Sequence, residues 1–153
     1  LNIALNYKNF DLTLFWQGVC NQDVYNNQKA QTDFWSIVDA GSNKGTRLLG
    51  AWNTNNTSST IPALTTNNTA DEGRASSYYV ENGSYMKLRT LQLGYTVPAT
   101  FLSKFKMSSA RIYLSGQNLL TIKSKSLTCP DPENPNWNYP LATSVSFGLQ
   151  IGF

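Results

Sequence analysis

Side chains able to transfer a proton or attack a substrate are scarce in this sequence, and that scarcity is its first functional message. There is no histidine among 153 residues, which removes imidazole acid–base chemistry, the usual Ser-His and Cys-His nucleophile pairs and most catalytic zinc sites. Asp71, Glu72 and Glu81 include no recognisable acid–base pair, and spacing alone does not establish one. Asp131 and Glu133, with Asn134, Asn136 and Asn138, offer oxygen ligands of the kind calcium takes. The EF-hand spacing is missing, and a solvated proline-rich turn accounts for them more simply. Cys20 and Cys129 form no Cys-x-x-Cys, so a disulfide and two free thiols are both open. The residues thus read as those of a non-enzyme, with no cofactor and no metal called for. What remains are aromatics in polar surroundings, Trp35, Trp52, Trp137 and Tyr139. Their faces could stack on a sugar or anchor a partner protein, although packing inside a loop is the plainer role for any one of them.

Composition narrows the class further. Charged residues make up 14% and aromatics 12%, and the net charge is +3 with no basic run, which argues against a nucleic-acid partner. No apolar run approaches the ~18 residues of a membrane helix. The first residues lack an initiator Met and a signal peptide and begin inside a strand pattern, so the chain reads as a piece of something longer.

The elements that must position these side chains are strands. Val145, Phe147, Leu149, Ile151 and Phe153 alternate with Ser146, Gly148, Gln150 and Gly152, the period-two signature of a strand with one apolar face. The same alternation predicts strands over Leu1–Tyr7, Phe10–Val19, Tyr85–Val97 and Ala110–Ile122, in meander order, with a tight turn at Lys8-Asn9. Along the third of these the apolar face switches near Arg89-Thr90, which implies a bulge or a strand continuing beyond a membrane. Ala99 to Ser109 is a short connection with an apolar knob of Phe101, Leu102 and Phe105. Residues 20–84 and 123–143 are long polar connections, far above the median of ~4–6 residues. Within the first, short helices are predicted over Asp33–Ala40, capped by Thr32 and closed by Gly41, and over Arg47–Trp52, capped by Thr46.

Two all-β architectures fit this pattern. One is a soluble, secreted, lectin-like module that binds glycan through loop Trp and Tyr. The other is an up-and-down membrane barrel, whose strands run roughly 9–11 residues. In the second, long loops gather on the outer side and short turns on the periplasmic side, and the sorting of connections here follows that rule. The two differ in where Leu12, Leu14, Phe147, Leu149 and Ile151 point: outward to lipid or detergent, or together into one closed core.

Several ordered stretches carry a resemblance. Tyr78-Tyr79-Val80-Glu81-Asn82-Gly83-Ser84-Tyr85-Met86-Lys87-Leu88-Arg89, Leu91-Gln92-Leu93-Gly94-Tyr95-Thr96-Val97-Pro98, the segment Arg111 to Thr121, Asp131-Pro132-Glu133 and the closing Phe147-Gly148-Leu149-Gln150-Ile151-Gly152-Phe153 together resemble the C-terminal end of SusC/RagA-type TonB-dependent outer-membrane transporters. Tyr7-Lys8-Asn9-Phe10-Asp11-Leu12 and Arg47-Leu48-Leu49-Gly50-Ala51-Trp52 are similar to further stretches of that family. The resemblance implies that residues 1–153 are the C-terminal part of a large plugged barrel in the outer membrane of a Gram-negative bacterium, with extracellular loops at about 20–84 and 123–143. It also implies energisation by TonB through a region outside this chain, a SusD-like surface lipoprotein as partner and uptake of oligosaccharides or peptides. Phe147 and Phe153 would then belong to the signal read by the barrel-assembly machinery, and Trp35, Trp52, Trp137 and Tyr139 to the partner- or substrate-facing loops.

Overall fold

The computed structural model describes residues 1–34, 43–65, 71–136 and 138–153. Among them run seven strands, β1 (Asn2–Tyr7), β2 (Phe10–Val19), β3 (Asp23–Tyr25), β4 (Val80–Asn82), β5 (Tyr85–Thr96), β6 (Ser109–Lys123) and β7 (Ser144–Gly152). The chain divides into a sheet unit of Leu1–Cys20, Ser84–Ser124 and Leu141–Phe153, and a loop unit of Asn21–Gly83 and Lys125–Pro140.

The sheet unit is an antiparallel five-stranded meander in the order β1-β2-β5-β6-β7. All five predicted strands are present, with ends that agree within two residues. Because alternate residues of a strand face opposite sides, register decides what each face is made of. Leu5, Leu12, Leu93, Leu114 and Phe147 stand opposite one another in a single row across all five strands. Tyr7, Phe10, Tyr95, Ile112 and Leu149 form the next row, and Ile3, Leu14, Leu91, Gly116 and Val145 the one on the other side. This apolar face is not enclosed: Phe147, Leu149 and Ile151 are exposed, as are Leu5, Leu93 and Leu114, while Leu12 and Leu14 are half-buried. The rows therefore do not meet in one closed core, and the lectin-like alternative loses the feature it required.

The opposite face is polar, with Ala4, Thr13, Gln92, Ser115 and Ser146 in one row. On it Arg111 reaches diagonally to Asp11, its Nε 3.3 Å from one carboxylate oxygen and a terminal nitrogen bonded to the other. The pair passes directly over Gly94, where a Cβ would lie 2.3 Å from Asp11 Oδ1. Tyr113 lies just as flat over Gly148, whose added Cβ would meet the ring at 2.1 Å. A side chain at either position would thus force the overlying Asp11–Arg111 pair or the Tyr113 ring to shift.

The phase switch in β5 is a bulge. Pairing with β6 shifts between Leu88 and Thr90, and pairing with β2 shifts between Phe15 and Trp16. The extra residue, Arg89, restores the facing, so that Leu88 pairs with Trp16 and Leu120, and Met86 with Gly18 and Ile122, on the same apolar side. Arg89 bonds Gln17 at 3.1 Å and Asn118 at 3.3 Å. Asn118 takes a φ of 52°, a left-handed position that Asn tolerates better than most residues.

At the short-turn end, Thr96 N–H donates to Asn9 O at 2.8 Å, setting the β1–β2 turn beside the β5–β6 connection. That connection holds α2 (Ala99–Leu102), after a short helix α1 (Asn27–Thr32) in the loop unit. Pro98 precedes α2, and Lys106 ends the following turn in the left-handed region. Leu102 is buried and Phe101 exposed; the side chain of Phe105 lies outside the described residues.

The loop unit has its own core, Phe34, Leu48 and Tyr79, flanked by Ala30, Ile61 and Tyr78. Here β3 pairs antiparallel with β4, a ladder of three residues that the polar composition concealed. A short helix that was not predicted, α1, ends at Thr32, with Asp33 as its C-cap. Its N-cap is Asn26, whose side chain accepts from Lys29 N–H at 3.0 Å. The remainder of the predicted Asp33–Ala40 helix lies outside the described residues. The Arg47–Trp52 prediction is corrected to a 3-10 turn over Thr46–Gly50, preceded by Gly45 rather than capped by Thr46. Ala51 is already extended, because a single tight turn suffices to bury Leu48.

Candidate functional site

Two buried acids hold the loop unit in shape. Glu81, on β4, accepts from Asn26 Nδ2 at 2.9 Å and from Thr128 N–H at 2.8 Å, with the Thr128 hydroxyl 2.9 Å from its other oxygen. Lys29 Nζ stands 3.4 Å away and also donates to Tyr78 O at 2.6 Å. One carboxylate therefore ties β4, α1 and the second long connection together. Burial alone would raise its pKa. The hydrogen bonds from Thr128 and Asn26 and the charge of Lys29 outweigh that effect and hold Glu81 below the usual carboxylate value.

Asp33, fully buried, accepts from Arg47 Nε at 2.9 Å and from the Tyr78 hydroxyl at 2.8 Å. Burial, reinforced by that bond to Asp33, pushes the Tyr78 phenol above its ordinary range. Burial, then the nearby Tyr25, Asp33 and Glu72, pushes Tyr79 up to about 12. Both phenols stay neutral, and both serve as donors, Tyr79 to Glu72 O. Among the described residues no buried side-chain polar atom lacks a hydrogen bond. The arrangement is a scaffold rather than a reaction centre.

What that scaffold displays is apolar. Leu49 stands 90% exposed on the Thr46–Gly50 turn, between hollows of about 470 and 410 Å³. Both hollows are lined by Leu48, Leu49 and Leu64, and the second also by Trp52. Trp52 and Leu64 are themselves exposed. Trp52 N–H bonds Ile61 O at 2.8 Å, which fixes its backbone while its ring remains accessible. Tyr139 is 97% exposed. Trp35 and Trp137 lie outside the described residues. The sequence reading missed Leu49 and Leu64, since a leucine in a polar loop gives no sign of its exposure.

The residues considered for calcium serve a turn: Asp131 Oδ1 accepts from Glu133 N–H at 3.0 Å and Asp131 O from Asn134 N–H at 3.1 Å. Both cysteines are free thiols, Cys20 exposed and Cys129 buried.

Comparison with known proteins decides what such a sheet belongs to. No protein-family model matches the chain. It is 32% identical over 154 residues to TonB-dependent receptor P3 of Formosa agariphila, a match covering 99% of this chain and 14% of that protein. To TonB-dependent receptor P26 of the same organism it is 28% identical over 173 residues, covering 98% and 16% respectively. Among solved structures, the RagAB peptide transporter superposes with a TM-score of 0.71 at 25% identity, over 97% of this chain and 16% of that one. The RagAB peptide importer in its closed-closed state gives 0.74 at 25% identity, over 96% and 16%. The chain is a segment of a SusC/RagA-type TonB-dependent receptor.

The receptor segment spans 14% and 16% of the length of these two relatives. Its sheet is part of a large β-barrel, and its place is the outer membrane of a Gram-negative bacterium. The relatives are receptors and transporters rather than enzymes, in keeping with a site that scaffolds instead of reacting. A barrel wall needs an apolar outer band and a polar inner face, and the two faces of this sheet differ in that way.

Proposed function

We propose that the receptor containing this segment is a TonB-dependent importer of oligosaccharides or peptides, working with a SusD-like surface lipoprotein. The observation that carries the reading is the five-stranded meander with its unenclosed apolar face, superposable on the RagAB transporter. In this reading residues 1–153 are the C-terminal part of the barrel. The two connections that make up the loop unit lie outside the cell, because both join strands at the end opposite the short turns. TonB acts through a region beyond these residues. The strands are too regular to discriminate between ligands, and recognition concentrates on loops held by a rigid scaffold. Trp52 and Tyr139, together with Trp35 and Trp137, are the contacts proposed for the lipoprotein or the substrate.

Replacing Trp52 and Trp35 with alanine, one at a time in the intact receptor, is expected to weaken lipoprotein capture by ~2 kcal/mol or more at whichever position anchors it. The measurement is co-purification of the lipoprotein, with uptake of oligosaccharide and peptide by cells at matched receptor abundance. Wild-type values for both variants in both assays would remove these aromatics as anchors and leave the loop of Trp137 and Tyr139.

Phe147 on β7 and Phe153 just after it, 72% and 91% exposed, are proposed to be read by the barrel-assembly machinery. Phe153→Ala in the full-length receptor is expected to lower its level in the outer membrane several-fold while transport per surviving molecule is preserved. Quantitative surface labelling decides the matter, and unchanged abundance would refute the assignment.

A further inference from the structure

Charge is distributed unevenly within the sheet unit. Asp11 is its only acidic residue, and Asp11 is already engaged by Arg111. At the short-turn end this leaves three lysines, Lys8 in the β1–β2 turn and Lys104 and Lys106 in the β5–β6 connection, with no Asp or Glu side chain of the sheet unit to neutralise them. All three are exposed, and among the described residues none forms an ion pair.

Their setting is aromatic. Lys8 Nζ lies 5.3 Å from the ring centre of Tyr7, and Lys104 Nζ 5.9 Å from that of Phe101. Tyr7 and Phe101 are 70% and 65% exposed, and Phe10 packs against Tyr95 in a tilted pair with ring centres 4.7 Å apart at the edge of the apolar face. The two turns are joined through the bond from Thr96 N–H to Asn9 O, so lysines and aromatics share one end of one sheet. Two of the lysines also occupy positions that suit them poorly. Lys8 and Lys106 have φ values of 54° and 56°, the left-handed region in which glycine or asparagine costs least. A turn selected for closure alone would not favour lysine there twice, so what these positions supply is the ammonium group.

We infer that Lys8, Lys104 and Lys106, with Tyr7, Phe10 and Phe101, form a binding surface for anionic phospholipid headgroups at the membrane boundary. Aromatic rings settle at the level where acyl chain meets headgroup, and lysines on flexible stems reach past them to phosphate. The phosphate belongs to the leaflet at the short-turn end, which under the sidedness proposed above is the periplasmic one; the inference rests on that reading.

The test uses the intact receptor in mixed micelles, with native mass spectrometry counting retained phosphatidylglycerol against phosphatidylcholine of the same acyl chains, and lipopolysaccharide as a third arm. The wild type is expected to favour phosphatidylglycerol, by about fivefold for each contributing lysine, and to lose that preference as salt rises. The triple variant Lys8→Gln, Lys104→Gln, Lys106→Gln is expected to lose it. The corresponding Lys→Arg triple is expected to keep it, as is a control with Lys44, Arg74 and Lys125 changed to Gln. Resistance of the folded barrel to unfolding in cold detergent verifies each preparation, and the single variants replace the triple if it does not fold. Unchanged phosphatidylglycerol retention in the Gln variants overturns the lipid surface and leaves the sidedness intact. If the same variants lose lipopolysaccharide retention instead, the short-turn end faces the outer leaflet, and both readings fall.

Discussion

In the intact receptor, Glu81→Ala is expected to loosen the loop unit without unfolding the barrel. The substitution leaves Lys29, Asn26 and Thr128 facing a vacated buried site, and removing one partner of a buried charged network costs about 3–5 kcal/mol. That is comparable to all the stability a unit with so small a core can hold. Limited proteolysis of receptor-bearing membranes should therefore cut the variant within 21–83 and 125–140, while the β strands of the sheet remain resistant. Glu81→Gln, which keeps the shape and loses the charge, should fall between. Protease resistance of Glu81→Ala equal to the wild type would show that the clasp is dispensable.

The same carboxylate fixes the sign of a pH effect. Its pKa in the folded unit lies below the ordinary value of 4.5, so the unfolded chain binds the proton more readily. The stabilisation from Glu81 is then complete above that ordinary value and is lost as pH falls through the lowered one. Protease sensitivity of the wild-type loop unit should rise only in that acidic window, and the rise should be smaller in Glu81→Gln.

The second large effect is expected on the outward face of the sheet. Leu114 lies in the row that runs from Leu5 to Phe147, and a charged side chain on the lipid side of a barrel near the middle of the membrane costs about 2–4 kcal/mol. Leu114→Arg should lower the folded fraction of receptor refolded into lipid vesicles and shift its urea midpoint downward. Ser115→Arg, one residue along on the polar face, should have a much smaller effect. Equal losses for the two substitutions would mean that the faces do not meet different solvents.

The strands were legible in the sequence because alternation is a local property. Val145 to Phe153 or Phe10 to Val19 declare an apolar side without reference to any neighbour, and the five predicted strands recur in the fold. The phase switch at Arg89-Thr90 was legible as well, since a bulge is the inexpensive way to return Leu88 and Met86 to the side of Leu91. Less could be read where polar side chains compete for the backbone. Asn26-Asn27 looked like loop composition, yet Asn26 is the N-cap that starts α1 six residues before the predicted helix.

What the amino-acid order determined by itself was therefore the strand set, the contrast between short and long connections, and the absence of imidazole chemistry, all of which depend on residue type and spacing along the chain. What only the tertiary structure decided depends on pairs distant in sequence: Asp11 with Arg111 over Gly94, Tyr113 on Gly148, and Glu81 with Asn26 and Thr128. It also decided that the apolar rows stay unenclosed. An apolar row reads the same whether protein or lipid will cover it, because alternation records which side is dry and not what makes it so; register across five strands, and what lies against them, supplies the rest.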